Sequence, residues 1–181
     1  GVNSETVTNT ITVQDPNTVY AGALTICISH SGNFTGAPSG ATQITAGSND
    51  MYAAWNTHKA SNKRILFCKA DTWTISATIS AAGLSNGILG GYGTGVAHTY
   101  SSGTMVSVSA ALGVAPVFNS STASDFKFCN FRVDANTNVA FQSISADDYQ
   151  ITWYKMEARN AYCAFSLTPN LVLNSLFKHE Q

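Results

Sequence analysis

Charged side chains are scarce in this 181-residue chain. Asp, Glu, Lys and Arg make up 10% of the residues, against about 25% in an average soluble domain. Nine basic and ten acidic residues leave a formal net charge of -1, which supplies no sequence-wide field to attract a polyanion or an anionic membrane. The composition therefore predicts no nucleic-acid partner.

Long apolar runs are also missing. Ser, Thr, Asn or Gly interrupts each apolar stretch well before the ~20 residues that a transmembrane helix needs. The N-terminus carries no basic segment followed by a short apolar one, which a signal peptide would have. The sequence predicts no membrane insertion.

The chain lacks the clusters that hold metals. Cys27, Cys68, Cys129 and Cys163 form no CxxC pair and have no His at ligand spacing, so we expect neither a metal nor a cofactor. Each Cys lies in an apolar run, which favours buried free thiols. Two disulfides are the alternative for an exported protein.

The catalytic patterns are incomplete. Gly83 to Gly87 has the G-x-S-x-G spacing of a nucleophile elbow around Ser85, but no helix pattern follows the serine, as the elbow requires. Asp147 and Asp148 are adjacent, so on a strand they would point to opposite faces and could not act as an acid–base pair. We therefore expect that the protein is not an enzyme.

What the sequence has in abundance is β pattern. Apolar and polar residues alternate from Thr72 to Ile79 and from Leu24 to Ser29, which indicates half-buried strands. Phe126 to Val133 and Asn138 to Ser145 are predicted to form a hairpin across a turn-forming cluster. Glycine-rich Gly83 to Gly95 is predicted to be a loop.

The predicted fold class is all-β, a jelly-roll β-sandwich with glycine-rich loops. Short strands with glycine-rich turns suit that fold, and no internal repeat of the kind that marks a solenoid is visible in the sequence. Residues 1–181 are expected to form a single β-sandwich domain, with residues 1–64 as a separate N-terminal lobe in an alternative division. Residues 170–181 are expected to form a C-terminal arm or short helix, and Met51 to Trp55 a short strand.

Aromatic side chains supply the candidate binding residues. Sugars stack on flat aromatic rings that are flanked by amides and hydroxyls. Five aromatic residues lie beside Asn, Ser, Thr or Gln and are candidates for binding a glycan: Trp55, Tyr92, Tyr100, Tyr149 and Trp153. The alternative for each ring is a place in the core. The basic stretch from His58 to Lys69 is interpreted as a solvated loop, with an acidic glycan or partner as the alternative.

The closing stretch of the chain resembles a known family. Tyr154-Lys155-Met156-Glu157, a turn at Arg159-Asn160, and Phe165-Ser166-Leu167-Thr168-Pro169 are similar to the last strand pair of jelly-roll domains in phage tail and fibre proteins, which resemble carbohydrate-binding modules. Three further stretches fit the same order: Lys69 to Ser80, Phe128 to Val133, and Asn33 to Gly40.

This resemblance implies a structural protein of a phage particle. It implies a receptor-binding or decoration module of a tail or head fibre, located in the virion. The implied partners are further copies in a homotrimer, other virion proteins and host surface polysaccharide. A purely structural capsid or tail module without a ligand site, a bacterial carbohydrate-binding adhesin at the cell surface, and a polysaccharide-degrading enzyme are the alternatives.

Overall fold

The computed structural model of the chain describes residues 14–95, 105–143, 150–167 and 176–177. Two α-helices lie near the N-terminal end, α1 at Pro16–Val19 and α2 at Met51–His58, with a 3-10 helix at Gly22–Leu24 between them. Strand β1 is Thr25–Ser29, and twelve strands follow it. They are β2 Thr42–Thr45, β3 Arg64–Cys68, β4 Thr72–Ile75, β5 Ile79–Ser80, β6 Ser85–Tyr92, β7 Val106–Ala110, β8 Phe118–Asn119, β9 Ser124–Asp134, β10 Val139–Ser143, β11 Thr152–Arg159, β12 Cys163–Leu167 and β13 Leu176–Phe177.

The strands pair in parallel throughout the described residues. A curled nine-stranded sheet has the order β13-β11-β9-β6-β3-β1-β2, with β4 and β7 attached through β9, and a four-stranded sheet has the order β12-β10-β8-β5. The predicted jelly-roll β-sandwich is therefore wrong, because that fold is built from antiparallel strands. Alternation of apolar and polar residues located strands but carried no information about the direction of their partners.

Successive passages of the chain stack on one another. Strands β3, β4 and β5 pair in the same order with β6, β7 and β8 of the next passage. The long strand β9 pairs with both β6 and β7, and β11 then stacks on β9. Each passage is thus one coil of a stack.

The coils differ in length, which explains why no repeat is visible in the sequence. Arg64 lies opposite Ile88, Ile88 lies opposite Lys127, and Lys127 lies opposite Thr152. The number of residues from Arg64 to Ile88 is nearly the same as that from Lys127 to Thr152. The number from Ile88 to Lys127 is more than half as large again. The extra residues lie in connections between strands, where insertions cost little free energy.

Corresponding corners of the coils share one backbone conformation. A residue with positive φ stands two positions before each of these stacked partners: Asn62 at 59°, Asn86 at 48°, Asp125 at 44° and Gln150 at 56°. Asn and Asp tolerate this left-handed conformation better than other residues with a side chain. The Asn86 side-chain amide also donates to Asn62 Oδ1 at 2.9 Å, which links two coils at this corner.

Aromatic rings fill the interior of the stack. Phe128 lies opposite Trp153, and their rings stack with centroids 4.2 Å apart and planes 9° from parallel. In the smaller sheet Phe141 lies between Phe118 and Phe165, at centroid distances of 6.0 and 4.8 Å. In-register parallel strands place ring beside ring, so each coil adds a layer to one continuous core.

Helix α2 covers one end of the core and lies in the crossover from β2 to β3, so the N-terminal part is α/β-like. Met51 and Trp55 are buried on its inner side, and the Trp55 indole donates to the Ser80 carbonyl at 3.1 Å. Asp50 caps the helix by accepting from the Tyr52 amide, and it also accepts from the Ser76 hydroxyl at 2.6 Å. Met51 to Trp55 was predicted to be a strand. That prediction is wrong, because the segment belongs to a helix that covers the end of the stack.

Three further predictions concern the glycine-rich stretch, the hairpin and the C-terminal arm. Gly83 to Gly95 was predicted to be a loop, but Ser85–Tyr92 is a strand of the large sheet. The predicted hairpin of Phe126 to Val133 with Asn138 to Ser145 is wrong, because β9 and β10 belong to different sheets. Of the predicted C-terminal arm at 170–181 only Leu176–Phe177 is described, as a strand beside β11.

The division into domains stays a prediction. One cluster of buried residues runs from Ile28 to Trp153 and includes residues on both sides of position 64. Alternating residues also predict a strand from Thr6 to Val13, and this stretch lies outside the described residues.

Truncation of Phe128 tests the stacked core. Phe128 is fully buried and stacks on Trp153, so Phe128→Ala is expected to lower the free energy of unfolding by roughly 3–5 kcal/mol. Phe128→Leu keeps much of the volume and should cost markedly less. Denaturant unfolding followed by tryptophan fluorescence measures both, and equal losses for the two variants would contradict the importance of ring stacking.

Candidate functional site

The outer face of the large sheet, turned away from the aromatic core, carries the candidate site. Leu66 lies opposite Gly90, and Tyr154 lies opposite Cys129. Side chains alternate along each strand, so Trp153 is 3% exposed in the core while its neighbour Tyr154 is 38% exposed outside.

The connection from β1 to β2 covers one half of this outer face. Phe34, Ala37 and Ala41 pack against a small cluster of buried side chains, which consists of Cys27, Leu66, Cys68 and Tyr92. The Tyr92 hydroxyl donates to the Asn33 carbonyl at 2.8 Å. Burial raises the pKa of the Tyr92 hydroxyl well above its usual value and that of the Cys27 thiol to about 11. These groups are therefore structural, and among the described residues no connection covers the other half of the face, which we call the open half.

Asp71 holds the start of that connection in place. Its carboxylate accepts from the Ser29 hydroxyl at 2.8 Å, the His30 amide at 2.8 Å and the Ser31 hydroxyl at 2.5 Å. Burial by itself raises the pKa of Asp71, but these hydrogen bonds outweigh burial and hold the pKa below its usual value. Asp71 is thus an ionised anchor for the covering connection.

This cluster does not have the geometry of a serine nucleophile. His30 packs edge-on against Trp73 at 5.2 Å, and its Nε2 lies 3.9 Å from Asp71 Oδ1. Both serine hydroxyls donate to the carboxylate and not to the imidazole. A nucleophilic serine needs a base that takes its proton, and here the imidazole is not placed to do so.

Two clefts flank Tyr20 on the outer face. One, of about 320 Å³, is lined by Tyr20, Asn86, Asp125 and Lys127 among others. The other, of about 350 Å³, is lined by Tyr20, Asn17, Pro38, Ser39 and Arg64 among others. The Tyr20 hydroxyl donates to Asn86 Oδ1 at 3.3 Å, so the ring separates two polar recesses.

Arg64 is buried at the second cleft and has neutral hydrogen-bond partners. Its Nε donates to Thr25 Oγ1 at 2.9 Å and its Nη1 to Asn17 Oδ1 at 3.0 Å. It forms no ion pair with an acidic side chain of the described ranges. Burial lowers the pKa of its guanidinium, and the negative charge of Asp15 opposes that shift.

Three more cations lie near the same part of the face. Burial raises the pKa of the Cys129 thiol to about 11. The nearby positive charges of Lys69, Arg64 and Lys127 act in the opposite direction but are outweighed by burial. Burial lowers the pKa of Lys69, and the nearby positive charge of Lys155 lowers it further. We call Arg64, Lys69, Lys127 and Lys155 the cation cluster.

Three of the five predicted glycan-binding residues lie in the described ranges. Trp55, Tyr92 and Trp153 are buried, at 1%, 3% and 3% exposure, so their placement gives that hypothesis no support. Tyr100 and Tyr149 lie outside the described residues.

The other sequence motifs form parts of strands and turns. Ser85 begins a strand and not a helix, and Asp134 and Asn136 form a turn in which Asp134 accepts from the Asn136 amide. The four cysteines are free thiols. Within the described ranges no group of three or more His, Cys, Asp or Glu side chains is arranged to hold a metal.

Sequence reasoning missed Tyr20, Lys127, Tyr154 and Lys155 as neighbours of this site. Lys127 and Tyr154 each stand at an alternate position of a predicted strand, which was the only available signal. Their proximity depends on the register of β9 with β11, in which Tyr154 lies opposite Cys129.

No protein-family model, curated protein or solved structure matches this chain. Among the helices of the described part, none has the length and apolar character needed to cross a membrane.

The pH dependence of stability tests the anchoring role of Asp71. Because folding lowers its pKa, its stabilising contribution is present above the unfolded value of about 3.9 and is lost as the pH falls through the lower folded pKa. Asp71→Asn is expected to cost roughly 1–3 kcal/mol at neutral pH. The difference from the wild type should shrink as the pH falls below about 4.

Denaturant midpoints measured from pH 7 to pH 2.5 follow this difference. Asp125→Asn is the matched control, since Asp125 makes a half-exposed ion pair with Lys127 worth under about 1 kcal/mol. A stability difference for Asp71→Asn that did not change with pH would contradict the anchor.

Proposed function

We propose that this chain is a non-catalytic structural module that contacts a surface polysaccharide through the open half of its outer face. The proposed setting is a tail or head fibre of a phage particle, as the sequence resemblance suggests. The jelly-roll fold implied by that resemblance is not the fold of this chain, so the proposal depends on the outer face.

The observation that carries the proposal is the position of Tyr154. Its ring lies on the half that the β1–β2 connection leaves open and is 38% exposed. Lys155 Nζ lies 5.5 Å from the ring centroid, and Thr152 stands two positions earlier on the same side of β11. An accessible ring with a hydroxyl and an ammonium beside it suits the apolar face and hydroxyls of a sugar.

The stacked coils support contact with an extended polymer. Neighbouring strands in a sheet lie about 4.8 Å apart, so residues of successive coils form rows across the outer face. Stacked repeats characteristically offer extended surfaces to their ligands. A surface with few charges and many hydroxyls and amides is compatible with polysaccharide as a partner.

A second candidate function is self-association through a different surface. Leu112 and Tyr162 are 81% and 86% exposed on turns that are linked through Asn138. The Tyr162 amide donates to the Asn138 carbonyl, and the Asn138 side chain donates to the Ala111 carbonyl. Two protruding apolar side chains on linked turns favour packing against another subunit.

Replacement of Tyr154 tests the proposed polysaccharide contact. Tyr154→Ala is expected to weaken binding to polysaccharides by about tenfold, the effect of losing one stacking contact of roughly 1.4 kcal/mol. Leu24→Ala is the control, because it removes a side chain of similar exposure, 41%, that belongs to neither proposed surface. A glycan array followed by titration against the strongest ligand measures the effect.

Equal losses in the two variants would contradict a specific contact at Tyr154. Absence of wild-type binding to every polysaccharide on the array would favour the self-association function instead.

A further inference from the structure

The cation cluster brings together side chains that are far apart in the sequence. Arg64 lies on β3 and Lys69 directly after it, Lys127 lies on β9, and Lys155 on β11. They are four of the nine Lys and Arg residues of the chain. Close to half of the cations of the chain therefore lie in one region of the large sheet.

Only one cation of the cluster forms an ion pair with an acidic side chain of the described ranges. Lys127 pairs with Asp125 at 3.0 Å, while Lys69, Lys155 and Arg64 form no ion pair with any acid of the described ranges. The acids on the other described ion pairs are Asp71, which holds the covering connection, and Glu157, which pairs with Arg132 and Arg159. Within the described ranges the cluster thus holds three cations that have no carboxylate at ion-pair distance.

Glycines on β6 make room for this arrangement. A Cβ added at Gly91 would lie 2.5 Å from Val106 Cγ2 and 3.0 Å from Lys69 Cγ and Cε, and one added at Gly90 would lie 2.6 Å from Cys129 Sγ. The absence of a side chain at Gly91 thus leaves space that Val106 and the Lys69 stem fill. This lets the Lys69 stem pack on the sheet while its ammonium lies near Cys129 and Lys155.

We infer that the cation cluster selects acidic polysaccharides, whose sugar units carry carboxylates, and this inference rests on the proposed function. The ammonium groups of Lys69 and Lys155, which form no ion pair within the described ranges, would bind the carboxylates, and the adjacent Tyr154 ring would stack on the sugar. Charge-assisted hydrogen bonds to a carboxylate are stronger than those to a neutral hydroxyl. The cluster thereby distinguishes acidic from neutral chains of the same sugar.

Nucleic acid fits the same surface less well. Its binding depends on many phosphate contacts along a strongly charged rod, whereas this chain has a net charge of -1 and a cluster of four cations that includes the Lys127–Asp125 pair. A few cations beside an exposed ring suit a polymer that carries about one charge per sugar.

A matched pair of ligands tests the inference. Polygalacturonate and its fully methyl-esterified form have the same backbone and differ in the charge of the carboxyl groups. Wild-type protein is expected to bind polygalacturonate at least about tenfold more tightly than the ester, as one charge-assisted contact would give. Salt at about 0.5 M should reduce this preference by screening.

Variants identify the residues responsible. Lys69→Gln/Lys155→Gln is expected to remove the preference for polygalacturonate, so that the acid and its ester bind with similar affinity. Lys59→Gln, an exposed lysine just after α2, is the control and should keep the preference. Denaturant midpoints of all variants show that the fold is retained. Isothermal titration calorimetry measures the affinities, with duplex DNA as a third ligand.

Each outcome bears on the inference. A preference that is lost only in the double variant supports it. Equal binding of polygalacturonate and its ester overturns the inference but leaves polysaccharide contact in place. Tighter binding of DNA than of polygalacturonate also overturns it. If the protein binds these ligands no better than background and the glycan array shows no polysaccharide ligand, the proposed function falls as well.

Discussion

Parallel, in-register stacking of coils is the constraint on which the rest of this structure depends. Each residue of a strand lies beside its counterpart one coil away, so interior positions must accept the same kind of side chain on both sides. Phe128 and Trp153 satisfy that requirement by stacking face to face. Such contacts between equivalent residues make the core continuous from coil to coil.

The same constraint shapes the corners. The chain must change direction at corresponding places in successive coils, and Asn62, Asn86 and Asp125 do so with positive φ. The residues between corners vary in number, because connections can lengthen outward without disturbing the register. One such connection, between β1 and β2, folds back over the outer face and is held by Asp71. The open half of that face, with Tyr154 and the cation cluster, is what remains beside it.

Sequence reasoning located much of the local structure but not its assembly. Alternating residues around Trp73 do form strand β4, and the turn at Asp134 to Thr137 does exist. The strands on either side of that turn were expected to pair with each other, yet they enter different sheets. A turn sequence favours a change of direction and does not choose between a hairpin and the corner of a coil. Strand alternation places Tyr154 and Trp153 on opposite faces of β11. Only the tertiary structure showed which of the two faces the core.

The sequence by itself determined the β character of the chain and its shortage of charge. These properties depend on residue type and on short-range periodicity. Only the tertiary structure decided that the strands run parallel, that Met51–His58 is a helix over the end of the core, and that Arg64, Lys69, Lys127 and Lys155 share one face. The physical reason is that neighbours in stacked coils are far apart along the chain and are joined by connections of unequal length. Their contacts depend on register, which no local pattern encodes.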